Sequence, residues 1–158
     1  MYSKILVPVD GSPTSDLGLD EALKLASLTG AHLKLIHICD LLSFAVSLDA
    51  SLGATPDLMS LVREEARGIL DRALQHVEDA GQTAETLLSD TLSGRVCDQV
   101  VDEAKRWEAD LIVIGTHGRR GVKRLVLGSD AEQIVRAAPV PVLLVRGTPE
   151  PEPEAPAR

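Results

Sequence analysis

Aromatic side chains are scarce in this sequence: Tyr2, Phe44 and Trp107 are the only three in 158 residues. A core must therefore be built from Leu, Val, Ile and Ala, and the apolar fraction of 44% is that of an ordinary globular domain. Cysteine is scarce too. Cys39 and Cys97 have neither the spacing of a zinc site nor that of a redox pair, which points to a reducing, cytoplasmic setting. Apolar runs stop short of the ~18 residues a membrane helix requires, so no membrane insertion is expected. The N-terminus lacks the charged-then-apolar order of a secretion signal, because Ile5-Leu6-Val7 follows almost at once. Positive charge is in deficit. A net charge of −8 argues against broad electrostatic binding to nucleic acid, which depends on counterion release by a basic surface.

What is present is an alternation of apolar runs and helical stripes. Residues 3–9 form a continuous apolar run suited to a strand buried on both faces, with Pro8 ending its ladder. Ser12-Pro13 starts a helix carrying Leu19, Ala22, Leu23 and Ala26, which Gly30 stops. Residues 33–39 read as a second strand and 40–56 as a long loop. From Asp57 a helix presents Leu58, Leu61, Val62, Ile69, Leu70, Ala73 and Val77 on one face and closes at Gly81. Thr83 to Ser89 alternates as a weaker strand near an edge. Ser93 is placed to cap a third helix with Val96, Val100, Ala104 and Trp107, followed by the strand Asp110–Gly115. A Gly- and Arg-rich loop over 115–128, a helix from Ser129 to Ala138 and a strand from Val140 to Val145 complete the pattern. Residues 1–146 thus form one domain. The tail 147–158, with prolines at 149, 151, 153 and 156, is expected to be disordered. Such alternation predicts an α/β fold, a parallel sheet with helices on both faces, whose ligands sit beyond the carboxyl ends of the strands.

The loop after the strand 110–115 carries the chemistry. Glycines allow a backbone to approach phosphate closely, and a helix start favours an anion through its N–H groups and dipole. Ser129 is placed to cap the helix and offer its hydroxyl to a phosphate, and no Walker lysine is present. Arg119, Arg120, Lys123 and Arg124 could neutralise phosphate or dock an acidic partner, or form a solvated charge run. His117 reads as a spacer or a group acting on phosphate, and His37 as a satisfied core histidine.

The spacing Gly115-x2-Gly118-x9-Gly128-Ser129 resembles the nucleotide-binding signature of the universal stress protein family, in its ATP-binding branch. Ile5-Leu-Val-Pro-Val-Asp-Gly-Ser12, Asp110-Leu-Ile-Val-Ile-Gly-Thr-His-Gly-Arg-Arg-Gly121 and Pro139-Val-Pro-Val-Leu-Leu-Val145 extend the resemblance along nearly the whole chain. It implies a three-layer, Rossmann-like sandwich with a five-stranded parallel sheet in order 3-2-1-4-5 and ATP between the first and fourth strands. By position, Pro8, Val9 and Asp10 would lie against the nucleoside, Ile38 would flank the adenine, and Ile114 and Gly115 would approach the ribose. Gly118, Gly128 and Ser129 would cradle the phosphates, and among the basic residues of the loop Arg119, immediately after Gly118, is the first candidate to neutralise them. Asp130-Ala131 stands where the family often has Val-Thr or Val-Ala; the added carboxylate leaves AMP, ADP or ATP with magnesium or manganese open.

The resulting expectation is a stress-response regulatory protein that binds ATP and changes its conformation or its association with a protein partner. A slow ATPase or autophosphorylating enzyme, with Ser129 or a loop residue as acceptor and Asp130 or Asp10 around a metal, is the alternative. A ligand-free scaffold is the third reading. The resemblance also implies a homodimer, for which the apolar edge Val142–Val145 would serve, with Pro139 and Pro141 blocking ladder bonds on one side.

Overall fold

The computed structural model describes residues 1–40, 56–91, 95–116 and 127–147. It is an all-parallel five-stranded sheet between two layers of helices. Strand β1 (Lys4–Pro8) is followed by helix α1 (Pro13–Thr29), β2 (His32–Asp40), α2 (Pro56–Asp79), β3 (Ala84–Thr91), α3 (Val96–Arg106), β4 (Leu111–Gly115), α4 (Ser129–Ala137) and β5 (Val142–Val145). The strand order is β3-β2-β1-β4-β5, so β1 is central and the weakly alternating β3 lies at an edge.

Alternating side chains of the central strands divide the core. Ile5 and Val7 pack with Leu33, Leu35, Leu111 and Val113 beneath α1 and α2, while Leu6 joins Ile36, Ile112 and Ile114 beneath α3 and α4. The buried helix residues are those of the apolar stripes: Leu19, Ala22, Leu23 and Ala26 of α1, and Val100 and Ala104 of α3. Removing each large aliphatic group from water contributes about 1.5–3 kcal/mol. That lets an aliphatic core substitute for aromatic volume.

Some local expectations are corrected. Leu61, expected on the buried stripe of α2, is 61% exposed, because Val62 and Ala66 are the residues turned inward at this end of the helix. The N-cap of α3 is Arg95, which makes no side-chain capping bond; Ser93 lies outside the described residues. The last strand begins at Val142 rather than Val140, since Pro141 has no N–H for a ladder.

The amino ends of the strands hold a cluster of charges. Glu103 of α3 is 2% exposed and Lys34 of β2 is 14% exposed, and they meet at 2.9 Å through Oε1, which has no hydrogen bond beyond this ion pair. Arg106 also pairs with Glu103. Lys34 is 3.3 Å from Glu85, whose carboxylate accepts the Trp107 Nε1–H. The Lys4 and Lys34 ammonium groups lie 5.6 and 5.5 Å from the Trp107 ring centre. These contacts join β1, β2, β3 and α3 at the end of the sheet opposite the candidate site.

Candidate nucleotide site

The carboxyl ends of the strands and the amino ends of α1 and α4 share one edge of the sheet, as right-handed parallel crossovers require. The turn from β1 into α1 is tightly bonded. Gly11 adopts φ 75°, a left-handed conformation that favours glycine. Asp10 Oδ1 accepts the Ser12 N–H at 2.9 Å, Ser12 Oγ accepts from the Ser15 N–H at 3.2 Å, and the Asp10 N–H donates to Ser15 Oγ at 3.1 Å. The Asp10 carboxylate therefore supports the turn that leads into the Ser12 cap.

A second closure forms beyond β4. The Thr116 N–H donates to the Val145 carbonyl, and the Thr116 carbonyl accepts the Gly128 N–H at 2.8 Å. The two ends of the glycine-rich segment are thereby tied together, and α4 starts where β4 stops. Gly128 is the N-cap, its carbonyl accepting the Glu132 N–H at 2.9 Å. This corrects the expectation that Ser129 caps the helix: Ser129 is its first residue, and no side chain caps α4. The Gly128 N–H is taken up by the Thr116 carbonyl, so the amides that open α4 are those of the turn that follows it. Ser129 and Asp130 are exposed there, whereas the Ala131 side chain is 4% exposed and packed into the α3–α4 core.

Gly115 owes its lack of side chain to a packing contact. A Cβ there would stand 2.7 Å from the carbonyl carbon of Thr14 in the first turn of α1, closer still to its oxygen, and 3.1 Å from the Ser15 nitrogen. On the facing helix, a Cβ on Gly18 would stand 3.1 Å from the Gly115 nitrogen. Two glycines thus bring the start of α1 against the end of β4.

The β2 side contributes a backbone edge. The last ladder pair of β1 and β2 is Pro8 with Ile36, and the Ile36 carbonyl accepts the Val9 N–H at 2.9 Å. Because successive strand residues turn their polar groups to opposite sides, Ile38 directs its N–H and carbonyl the same way as Ile36, into the space past the end of β1. The Val9 carbonyl accepts instead from His37 Nδ1 at 2.7 Å. His37 is 7% exposed.

Of the residues singled out from sequence, Pro8, Val9, Asp10, Ile38, Ile114, Gly115, Gly128, Ser129, Asp130 and Ala131 lie at this edge. Gly118, Arg119, His117, Gly121 and the other basic residues of the loop lie outside the described residues. Sequence reasoning missed Gly18 and Thr116. Gly18 was visible as a glycine inside the apolar stripe of a helix, a mark of close backbone approach; the buried hydrogen bonds of Thr116 left no signal in the sequence.

Comparison with known proteins agrees with this architecture. The model of the Universal stress protein family matches residues 1–146. Universal stress protein MJ0531 of Methanocaldococcus jannaschii is 34% identical over 146 residues, covering 92% of this chain and 83% of that protein. The solved structure of MJ0577 from the same organism is 26% identical with a TM-score of 0.79, covering 95% of this chain and 99% of that one. A universal stress protein from Archaeoglobus fulgidus, solved in complex with dAMP, is 25% identical with a TM-score of 0.65, covering 91% and 98%. By sequence and by fold alike, this chain belongs to the universal stress protein family.

Proposed function

We propose that this protein binds an adenine nucleotide at the carboxyl edge of its sheet and that the nucleotide governs its association with partners. The observation that carries the reading is the Ile38 backbone edge, turned into the space that β1 vacates. Adenine presents an amino donor beside a ring acceptor, a pair complementary to one carbonyl and one N–H of an extended residue. On the β4 side, Ile114 and Gly115 would approach the ribose, and the first turn of α4 from Ser129 suits phosphate. A relative that holds dAMP supports the adenine component.

ATP is the nucleotide proposed, with Gly118, Arg119 and Ser129 at its phosphates. Asp130 and Glu132 place acidic charge in the first turn of α4, so a divalent cation, magnesium or manganese, would offset repulsion of a triphosphate. AMP and ADP need less offset.

The protein is further proposed to act as a homodimer through β5. Pro141 gives its carbonyl to the Ile112 N–H and Val145 gives its carbonyl to Thr116, so alternate residues of this strand face β4. Val142 and Leu144 consequently turn their N–H and carbonyl groups outward. Pro141 blocks nothing on that outer edge, contrary to the protective role expected from sequence. Cys39 and Cys97 are buried and in no disulfide, which accords with a reducing cytoplasm. Among the described residues no helix is long and apolar enough to cross a membrane.

Mass spectrometry of small molecules released on denaturing the purified protein tests the reading, followed by calorimetric titration with ATP, ADP and AMP, with and without magnesium. Release or saturable binding of an adenine nucleotide is expected. Neither release nor binding at millimolar nucleotide would replace it with the ligand-free scaffold.

A further inference from the structure

We propose that His37 is a positioning residue for the nucleotide: by taking the Val9 carbonyl, its imidazole stops β1 and β2 from pairing one residue further and keeps the Ile38 backbone edge open. The inference rests on the adenine-nucleotide reading above.

In a regular parallel ladder, Val9 would bond to β2 twice, its N–H to Ile36 and its carbonyl to the Ile38 N–H. The first bond is present at 2.9 Å. The second is replaced by His37 Nδ1 at 2.7 Å from the same carbonyl. A carbonyl only accepts, so Nδ1 carries the proton. Ile38 packs with the α3–α4 core, so His37, one residue before it, projects to the opposite face, where Val9 belongs to the core beneath α1 and α2.

This substitution of a side chain for a backbone donor has two effects. It satisfies a carbonyl belonging to a residue only 5% exposed, and it releases the chain to turn at Asp10 and Gly11 towards α1. Without that donor the Val9 carbonyl would be buried and unsatisfied, a costly state that the structure can relieve by extending β1 onto the Ile38 N–H. The relief would close the very group that an adenine ring acceptor would use. His37 touches no part of the nucleotide in this arrangement and acts through Val9 and Ile38.

The test uses two polar variants of the full chain with similar demands on folding. In His37→Asn the amide nitrogen sits close to the position of Nδ1, whereas in His37→Gln it reaches towards the position of Nε2. We measure the ATP Kd by calorimetry and the hydrogen exchange of the Ile38 amide in nucleotide-free protein. His37→Gln is expected to weaken ATP about tenfold and to slow Ile38 exchange about tenfold, the scale of one or two hydrogen bonds. His37→Asn should stay within about threefold of the original protein in both. A His37→Gln protein with unchanged Kd, or with unchanged Ile38 exchange, would overturn the positioning role. An unmodified protein that binds no nucleotide would instead overturn the adenine reading, and the positioning role with it; the titration of that protein alone separates the two failures.

Discussion

The carbonyl of Thr14, in the first turn of α1, occupies the space that a side chain on Gly115 would need at the end of β4. This contact sets how closely the helix after β1 approaches the strand beside it, and so shapes the corner where the strand order changes direction. Gly115→Ala must displace backbone rather than a flexible side chain, so we expect a loss of about 3 kcal/mol in urea unfolding. Gly30→Ala is the control: Gly30 has φ 71° and open space around it, and the strain alone should cost about 1 kcal/mol. Gly115 has no positive φ, so a loss no larger than that of Gly30→Ala would show that the Thr14 contact yields to the added methyl group.

Lys34 is held above its ordinary pKa of 10.5: burial alone would lower it, and the hydrogen bonds and charges of Glu103 and Glu85 outweigh that burial. A raised folded pKa stabilises the protein fully below the unfolded value and ceases to do so as pH rises through the folded one. Stability should therefore fall above pH 10.5, and Glu103→Gln should flatten that fall while costing about 3 kcal/mol at neutral pH, the low end for a broken buried pair because Glu85 remains. Urea midpoints across the alkaline range check both parts.

Asp110 behaves in the opposite sense. Partial burial pushes its pKa up, but the Ser3 hydroxyl and N–H and the Lys4 N–H donate to its carboxylate and bring the net value below 3.8. A depressed folded pKa contributes stability above the unfolded value and loses it as pH falls through the folded one. Asp110→Ala should cost about 1 kcal/mol at pH 7, and acid titration should show that difference vanishing only below pH 3.8.

The outer edge of β5 offers a backbone test of the proposed dimer. Val142 is the first residue of the strand, and its N–H faces away from β4, so Val142→Pro removes a donor from the free edge while sparing the β4 ladder. Sedimentation should show a dimer for the unmodified protein and a monomer for this variant. A variant that remains dimeric would place the interface elsewhere.

Most of the layered architecture was legible because its causes are local. Ile5-Leu6-Val7 and Leu111–Ile114 are unbroken apolar runs, which only strands buried on both faces tolerate, and Leu19, Ala22, Leu23 and Ala26 repeat at the helical period. Leu61 misled because an apolar residue at the margin of a helical stripe can point either way; the packing of Val62 and Ala66 decided it. The cap of α4 misled because serine next to glycine satisfies the composition of a cap at either position, and the bond from Gly128 to Thr116 selected glycine.

The sequence by itself determined the alternation of strands and helices and the aliphatic nature of the core, and its glycine spacing suggested the corner proposed here for a nucleotide. Tertiary structure alone decided which backbone groups face that corner. The direction of the Ile38 N–H, the diversion of the Val9 carbonyl to His37 and the filling of the Gly115 void by Thr14 all depend on where neighbouring strands end. Strand endings are set by contacts between residues far apart in the chain, such as Val9 with His37 and Thr14 with Gly115, and no local period records them.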